Sequence, residues 1–287
     1  MAGSRSRGQT GSVLLSDTAV GCRAVVRGAA SSKVVRPRLA DTSIAAHLVL
    51  RDFRIKYSRS LIGWVWSLAQ PITRLVILGF VFTRAIPLDI ENYTAFLFVG
   101  LVSWQWFSSG VMASTASLVD NRSLLLRPGF PRGTIPIVAV LASVLDTVAG
   151  LVVLIVFVSV TVGVSWALLA LPGLLVLQFL LIAGIGLLLC VANVYLRDVR
   201  LVVELMLQLG FYVTPVFYRR DILPEDLQDL FGLNPMAQML EAWRAVLIDG
   251  ELPGASLTLG LVVVCCTVFA VGALVFSRVS HSVVDEL

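Results

Sequence analysis

Residues 171–194 read LPGLLVLQFLLIAGIGLLLCVANV, without a single charged side chain. That is longer than the roughly 20 apolar residues a helix needs to cross a bilayer. Residues 134–162, TIPIVAVLASVLDTVAGLVVLIVFVSVTV, repeat the pattern with Asp146 as their one charge. Outward from this pair, further apolar blocks lie at about 62–86, 95–116, 200–218 and 255–277, so the sequence predicts an all-α integral membrane fold with six transmembrane helices. Pro71 removes one helical hydrogen bond and is expected to kink the first span. The composition agrees: 57% of residues are hydrophobic and 14% charged, against about 25% charged in soluble domains. An ordinary cytosolic enzyme is excluded.

An even number of spans puts both termini on one side, and the basic residues say which. The segment before residue 61 holds eleven of them, and Arg122, Arg127, Arg132, Arg197, Arg200 and Arg278 fall on the same face, for seventeen in all. The opposite face has Arg84, Arg219, Arg220 and Arg244. The positive-inside rule makes the rich face cytoplasmic, with both termini there.

The connection between spans five and six gathers acids, from Asp221 and Glu225 through Glu241 to Asp249 and Glu251. Asn234-Pro235 reads as an N-cap followed by a proline at the first helical position, Pro224 with Glu225 and Asp226 resembles an earlier helix start, and Asp249-Gly250 makes a stop. Two short amphipathic extracellular helices, 223–231 and 235–248, are predicted, lying at the outer surface or dipping into it.

Residues 1–40 are rich in Gly, Ser, Ala and Arg, and their apolar runs are too short for a signal peptide. They are expected to form a disordered cytoplasmic N-terminus. Residues 41–60 follow a helical pattern, with a cap among Asp41, Thr42 and Ser43. Ala46, Val49, Leu50, Phe53 and Tyr57 make a stripe, while Arg51, Lys56 and Arg59 point elsewhere. This describes an amphipathic helix in the membrane interface, or else one packed on the protein's own cytosolic surface. Residues 61–287 form the six-helix transmembrane domain.

A search for chemistry returns little. The phosphate-cradling pattern needs a glycine directly before its lysine, yet Lys33 follows Ser32 and Lys56 follows Ile55. His47 and His281 stand at opposite ends of the chain, with no metal-ligand spacing. Cys22, Cys190, Cys265 and Cys266 form no CxxC pair, and no disulfide is expected. No catalytic residues, no metal and no cofactor on this chain are expected, and no nucleic-acid partner. If ATP drives the protein, another chain must bind it.

Charges within spans are costly, about 2.5–3.5 kcal/mol each on insertion scales, and face protein or water. Arg74, Asp146 and Glu204 are the three. They read as part of a polar route or proton relay, or as a structural ion pair holding the bundle. Trp104, Trp106 and Phe107 read as an interfacial anchoring belt or as a channel lining for sugar rings.

Four strings together resemble the transmembrane subunits of ABC-2 type exporters for lipid-linked polysaccharides, such as the O-antigen, teichoic-acid and mycobacterial galactan permeases. They are RDFRIKYSRSLIGWVWSLAQP (51–71), NRSLLLRPGFPR (121–132), NVYLRDVR (193–200) and TPVFYRRDILPEDLQDLFGLNPMAQMLEAWRAVLIDG (214–250). The resemblance covers about residues 41–287. It implies a homodimer working with a separate nucleotide-binding ATPase that carries the ATP and magnesium, and a polyprenyl-diphosphate-linked polysaccharide moved outward across the bacterial inner membrane.

The resemblance also implies roles for particular residues. ATPase coupling would fall to Asp120, Asn121, Arg122, Leu125, Arg127, Phe130, Pro131 and Arg132, with Arg197 and Asp198 in a second contact. The gate helix would offer Arg51, Arg54, Lys56 and Arg59 to the lipid diphosphate or to anionic membrane lipid, and a channel would run past Trp104, Trp106, Phe107 and Arg74. The long N-terminus and the deep Arg74 depart from the family pattern. A drug or other small-molecule exporter of the same class is the alternative, followed by a proton-coupled carrier using Asp146 and Glu204. A membrane-embedded acyl or glycosyl transferase lacks the residues it would need.

Overall fold

The computed structural model describes residues 63–81, 90, 92–125, 130–196, 198–222, 224, 228 and 232–280. Every regular element among them is helical: α1 Gly63–Phe80, α2 Tyr93–Asp120, α3 Arg122–Leu125, α4 Thr134–Thr161, a 3-10 turn Trp166–Ala170, α5 Leu171–Tyr195, α6 Val199–Val213, a 3-10 turn Arg220–Ile222, α7 Pro235–Arg244 with a π-helical extension Ala245–Asp249, and α8 Ala255–Val279. The interface helix predicted at 41–60 and most of the helix predicted at 223–231 lie outside the described residues.

Among the described residues, four elements are long and apolar enough to cross a membrane: α2, α4, α5 with its leading 3-10 turn, and α8. Of the two remaining blocks, the one that falls wholly within described residues is shorter as a helix. Helix α1 passes through Pro71 and is described to Phe80. Helix α6 ends at Val213 where the hydropathy block runs to 218, and its 15 residues span about 22 Å at 1.5 Å per residue. The reason is Pro215, which disfavours helical geometry in the residue before it. Thr214 is accordingly extended, at φ −74° and ψ 139°.

Helix α2 is the hub. It packs along α4 and α5, and α5 in turn packs along α8. Without a hydrophobic drive between helices in lipid, such contacts rest on close approach by small residues and on hydrogen bonds. Both are present. A Cβ at Gly184 of α5 would stand 2.7 Å from the Phe269 backbone of α8, and one at Gly272 would stand 2.4 Å from the Gly184 carbonyl. Between α2 and α5, Gln178 donates to the Ser103 carbonyl (2.9 Å) and accepts from the Ser103 hydroxyl (3.2 Å). Asn193 donates to the Thr115 carbonyl at 3.1 Å. Both amides are buried.

Two ends of this bundle are defined by hydrogen bonds between distant segments. At one, Tyr93 Oη donates to the Phe217 carbonyl (2.9 Å) and Ser165 Oγ to the Gly250 carbonyl (2.7 Å). At the other, Arg132 Nη1 donates to the Ser280 carbonyl at 2.6 Å. These are called the Tyr93 end and the Arg132 end below.

Candidate functional site

At the Arg132 end, α2 stops at Asn121, whose side chain and backbone N–H both donate to the Ser117 carbonyl. The one-turn α3 then folds Leu124 and Leu125 onto a small core of Leu118, Ile135, Leu187, Cys190, Val191 and Phe276. Phe130 packs half-buried on the same core. Of the residues implied in ATPase coupling, Asp120, Arg122 and Asp198 are exposed, Asn121, Pro131 and Arg132 are half-buried, and Leu125 is turned inward at 3% exposure. Arg127 and Arg197 lie outside the described residues, as do Arg51, Arg54, Lys56 and Arg59.

Along the bundle, the exposed Arg74 of α1 donates from Nη1 to Gln105 Oε1 of α2 at 3.2 Å. The adjacent Trp104 meets α6 instead: its ring lies 6.1 Å from that of Phe211, and 5.4 Å from that of Phe107. Successive helical residues point about 100° apart, so α1 and α6 flank neighbouring sectors of α2. Trp104 and Phe107 are buried in the packing of the subunit, and Trp106, at 1% exposure, is enclosed by it. Val203 alone of α6 is buried, while Glu204 and Gln208 are exposed on that helix. Asp146 is half-buried on α4.

The Tyr93 end holds what the sequence reading passed over. The N-cap and stop of α7 fall where the local chemistry placed them: Asn234 Oδ1 accepts from the Met236 N–H at 2.9 Å, and Gly250 closes the segment with φ 69°. Of the two placements expected, at a surface or dipping in, the helix takes the second. Met239, Leu240, Ala242 and Trp243 are fully buried, packed against α2, α5 and α8. Arg244 goes in with them. Its guanidinium lies 3.5 Å from the centroid of the Phe96 ring, Nη2 donates to the Val216 carbonyl at 2.8 Å, and 9% of the residue is exposed. Gly100 makes room, because a Cβ there would stand 2.5 Å from the Val216 oxygen and 3.1 Å from Nη2.

Burial draws the pKa of Arg244 down to about 9, opposed chiefly by Glu241 and then Tyr93. The group remains cationic at neutral pH. Burial also raises the pKa of Asp249, helped by Glu251. The sequence did carry a signal: Ala237, Leu240 and Arg244 recur at i, i+3 and i+7, which places an arginine on the apolar stripe of an amphipathic helix.

Beside Arg244 opens a cavity of about 880 Å³. Its donors include Asn92, Arg219, Arg220 and Gln238, and its acids are Asp221, Glu241 and Asp249. Arg219 is paired with Asp221 at 3.0 Å. Among the described residues, Nε of Arg220 and Nε of Arg244 are buried without a hydrogen-bond partner.

Long apolar helices tied by small residues and buried amides define a multi-pass helical membrane protein. Residues 45–248 match the ABC-2 type transporter family, and the chain belongs to it. It is 32% identical over 205 residues to an O-antigen export system permease protein, RfbA, of Klebsiella pneumoniae, covering 70% of this chain and 79% of that one. The RfbA of Myxococcus xanthus is 26% identical over 236 residues, 81% of this chain and 90% of that one. The polysialic acid transport protein KpsM of Escherichia coli is 27% identical over 221 residues, 71% and 81% respectively.

Proposed function

We propose that this chain is the membrane subunit of an ATP-driven exporter that carries a polyprenyl-diphosphate-linked polysaccharide from the cytoplasmic to the outer side of a bacterial inner membrane. The observation that carries the reading is the extended similarity to three polysaccharide export and transport proteins. It spans most of each chain, and both O-antigen and polysialic acid proteins are among them.

In this reading α1 and α6 complete six spans, and the Arg132 end faces the cytoplasm. ATP and magnesium reside on a separate ATPase. Asp120, Arg122 and Asp198 would meet that subunit, as would Arg127 and Arg197, while Leu125, Phe130 and the Arg132 bond to Ser280 stiffen the segment from behind. Bases at 51–59 would attract the diphosphate. A rigid segment can pass closure of the ATPase to the spans as a rigid-body shift.

A second copy of the chain would cover the face formed by α1 and α6. Arg74, Glu204 and Gln208 are exposed there, and such groups do not face hydrocarbon cheaply. Between two copies they would border a hydrated route for the polymer, with Trp104 and Phe107 as the packed layer beneath and Trp106 deeper. Residues 1–40 would stay on the cytoplasmic side, followed by the interface helix at 41–60. The experiment is deletion of this gene in its native host. Loss of surface polysaccharide, with lipid-linked polymer accumulating inside and export restored by the wild-type gene, is the expected result; unchanged surface polysaccharide would refute the reading.

A further inference from the structure

We infer that the cavity at the Tyr93 end is a saccharide-binding site, which holds sugar units of the exported polymer as they leave the membrane. The inference rests on the export reading and on the arginine asymmetry, which sets this end outside.

The protein leaves the site chemically incomplete. A guanidinium has five N–H donors and no acceptor. Among the described residues Arg244 has one hydrogen-bond acceptor, the Val216 carbonyl, and one ring face, Phe96. Its Nε has no partner, nor has the buried Nε of Arg220 on the same cavity. Most donors of Arg244 therefore have no acceptor among the described residues, and the cavity that Arg244 lines is where a ligand can supply one.

Charge and size say which ligand. The three arginines of the cavity face three acids, Asp221, Glu241 and Asp249, so there is no net positive charge to single out a phosphate or carboxylate. Donors and acceptors instead share the lining of one space. Hydroxyl groups, which donate and accept at once, satisfy both kinds of wall. The volume of about 880 Å³ falls in the range of about 300–1,000 Å³ typical of organic-ligand sites, well beyond a lone anion. A run of neutral sugar rings meets all three conditions.

The site also lies at the end of the bundle that the arginine asymmetry sets outside. It is bounded by the first turn of α2, the last turn of α4 and the inserted α7 segment. Retaining the emerging units for a moment would oppose their return between power strokes. The walls stand on two supports that do not depend on ligand: the Asn234 cap with its bond to Thr214 Oγ1 (3.1 Å), and the Ser165 bond to the Gly250 carbonyl.

The test uses the whole exporter in its host. A photo-reactive phenylalanine analogue is placed at Ile248, on the cavity wall, or at Leu169, at the same end but 84% exposed and off the cavity. After irradiation of exporting cells, the subunit is purified and stained for periodate-reactive carbohydrate. The expected result is a ladder of glycan adducts from position 248 and none from 169. Arg220→Gln and Glu241→Gln, each removing hydrogen bonds at the rim, should reduce the ladder about fivefold or more, since one such bond is worth about 1 kcal/mol. Subunit level and recovery of the ATPase partner should be unchanged in both variants.

Cells that display polysaccharide but give no adduct at 248, or equal adducts at 248 and 169, overturn the inference and leave the export reading standing. An adduct with the mass of a phospholipid also overturns it, naming a headgroup pocket instead. Loss of the gene without loss of surface polysaccharide refutes the export reading, and the saccharide site falls with it.

Discussion

Helices α5 and α6 follow one another in the chain and are both apolar, yet the fold treats them in opposite ways. Helix α5 is clasped by α2 and α8, and its polar side chains Gln178 and Asn193 are buried with carbonyl partners. Helix α6 buries Val203 alone and leaves Glu204 and Gln208 exposed. Among the described residues the first arrangement gives its polar side chains partners, whereas the second leaves an acid and an amide exposed. The bundle thus combines a core of α2, α4, α5 and α8 with a flank that, on the proposed function, a second copy covers.

The largest effect should come from filling the α5–α8 contact. Gly184→Leu drives a side chain into the backbone around Phe269 and should cost about 3 kcal/mol or more, since overpacking alone costs about 1–3. Failed insertion or a steep fall in the melting temperature of the purified protein would register it. Gly173, where a Cβ meets nothing within 4 Å, is the matching control, and Gly173→Ala should melt like the wild type.

Next comes the amide clasp. Gln178→Leu leaves the Ser103 hydroxyl without its acceptor, removes the added bond to the Ser103 carbonyl, and should destabilise by about 1 kcal/mol, the scale of interhelical hydrogen bonds in membranes. A shift above 3 kcal/mol would mean that α2 and α5 depend on polar contacts more than on packing.

On the flank the expectation reverses. Glu204→Leu should leave thermal stability within about 0.5 kcal/mol, as at exposed sites generally, yet reduce export in cells. Stability lost together with export would place Glu204 in the fold and erase the contrast with α5.

The smallest effect concerns Asp249. Its folded-state pKa is raised, so the folded protein holds a proton there that the unfolded chain gives up, and stability falls as pH rises through that interval. Asp249→Asn should therefore be slightly more stable than the parent at pH 7 and show a flatter acid-side profile in melting experiments from pH 4 to 7. A variant less stable at pH 7 would reverse the sign.

Features fixed by local chemistry were legible from residues alone. The Asn234-Pro235 start and Gly250 stop of α7 depend on neighbours within a few positions, and the apolar blocks gave four membrane helices directly. The end of α6 was legible too, through Pro215, but hydropathy averaging ran past it. What escaped was tertiary. Helical spacing puts Arg244 on an apolar stripe but does not say what receives it, because the aromatic face of Phe96 and the space left by Gly100 come from α2 and the Val216 carbonyl from another segment. The aromatic group at 104–107 shows the same limit: hydropathy ranks Trp106 as a membrane anchor, but only the positions of its neighbours reveal an enclosed ring.

The central claim is that this chain forms the path while another chain supplies the force. The direct measurement is reconstitution into vesicles loaded with lipid-linked polysaccharide donor, with and without the ATPase encoded in its host. Transport that requires both proteins and hydrolysable ATP is expected. Transport by this chain alone, under a pH gradient and without nucleotide, would contradict the account.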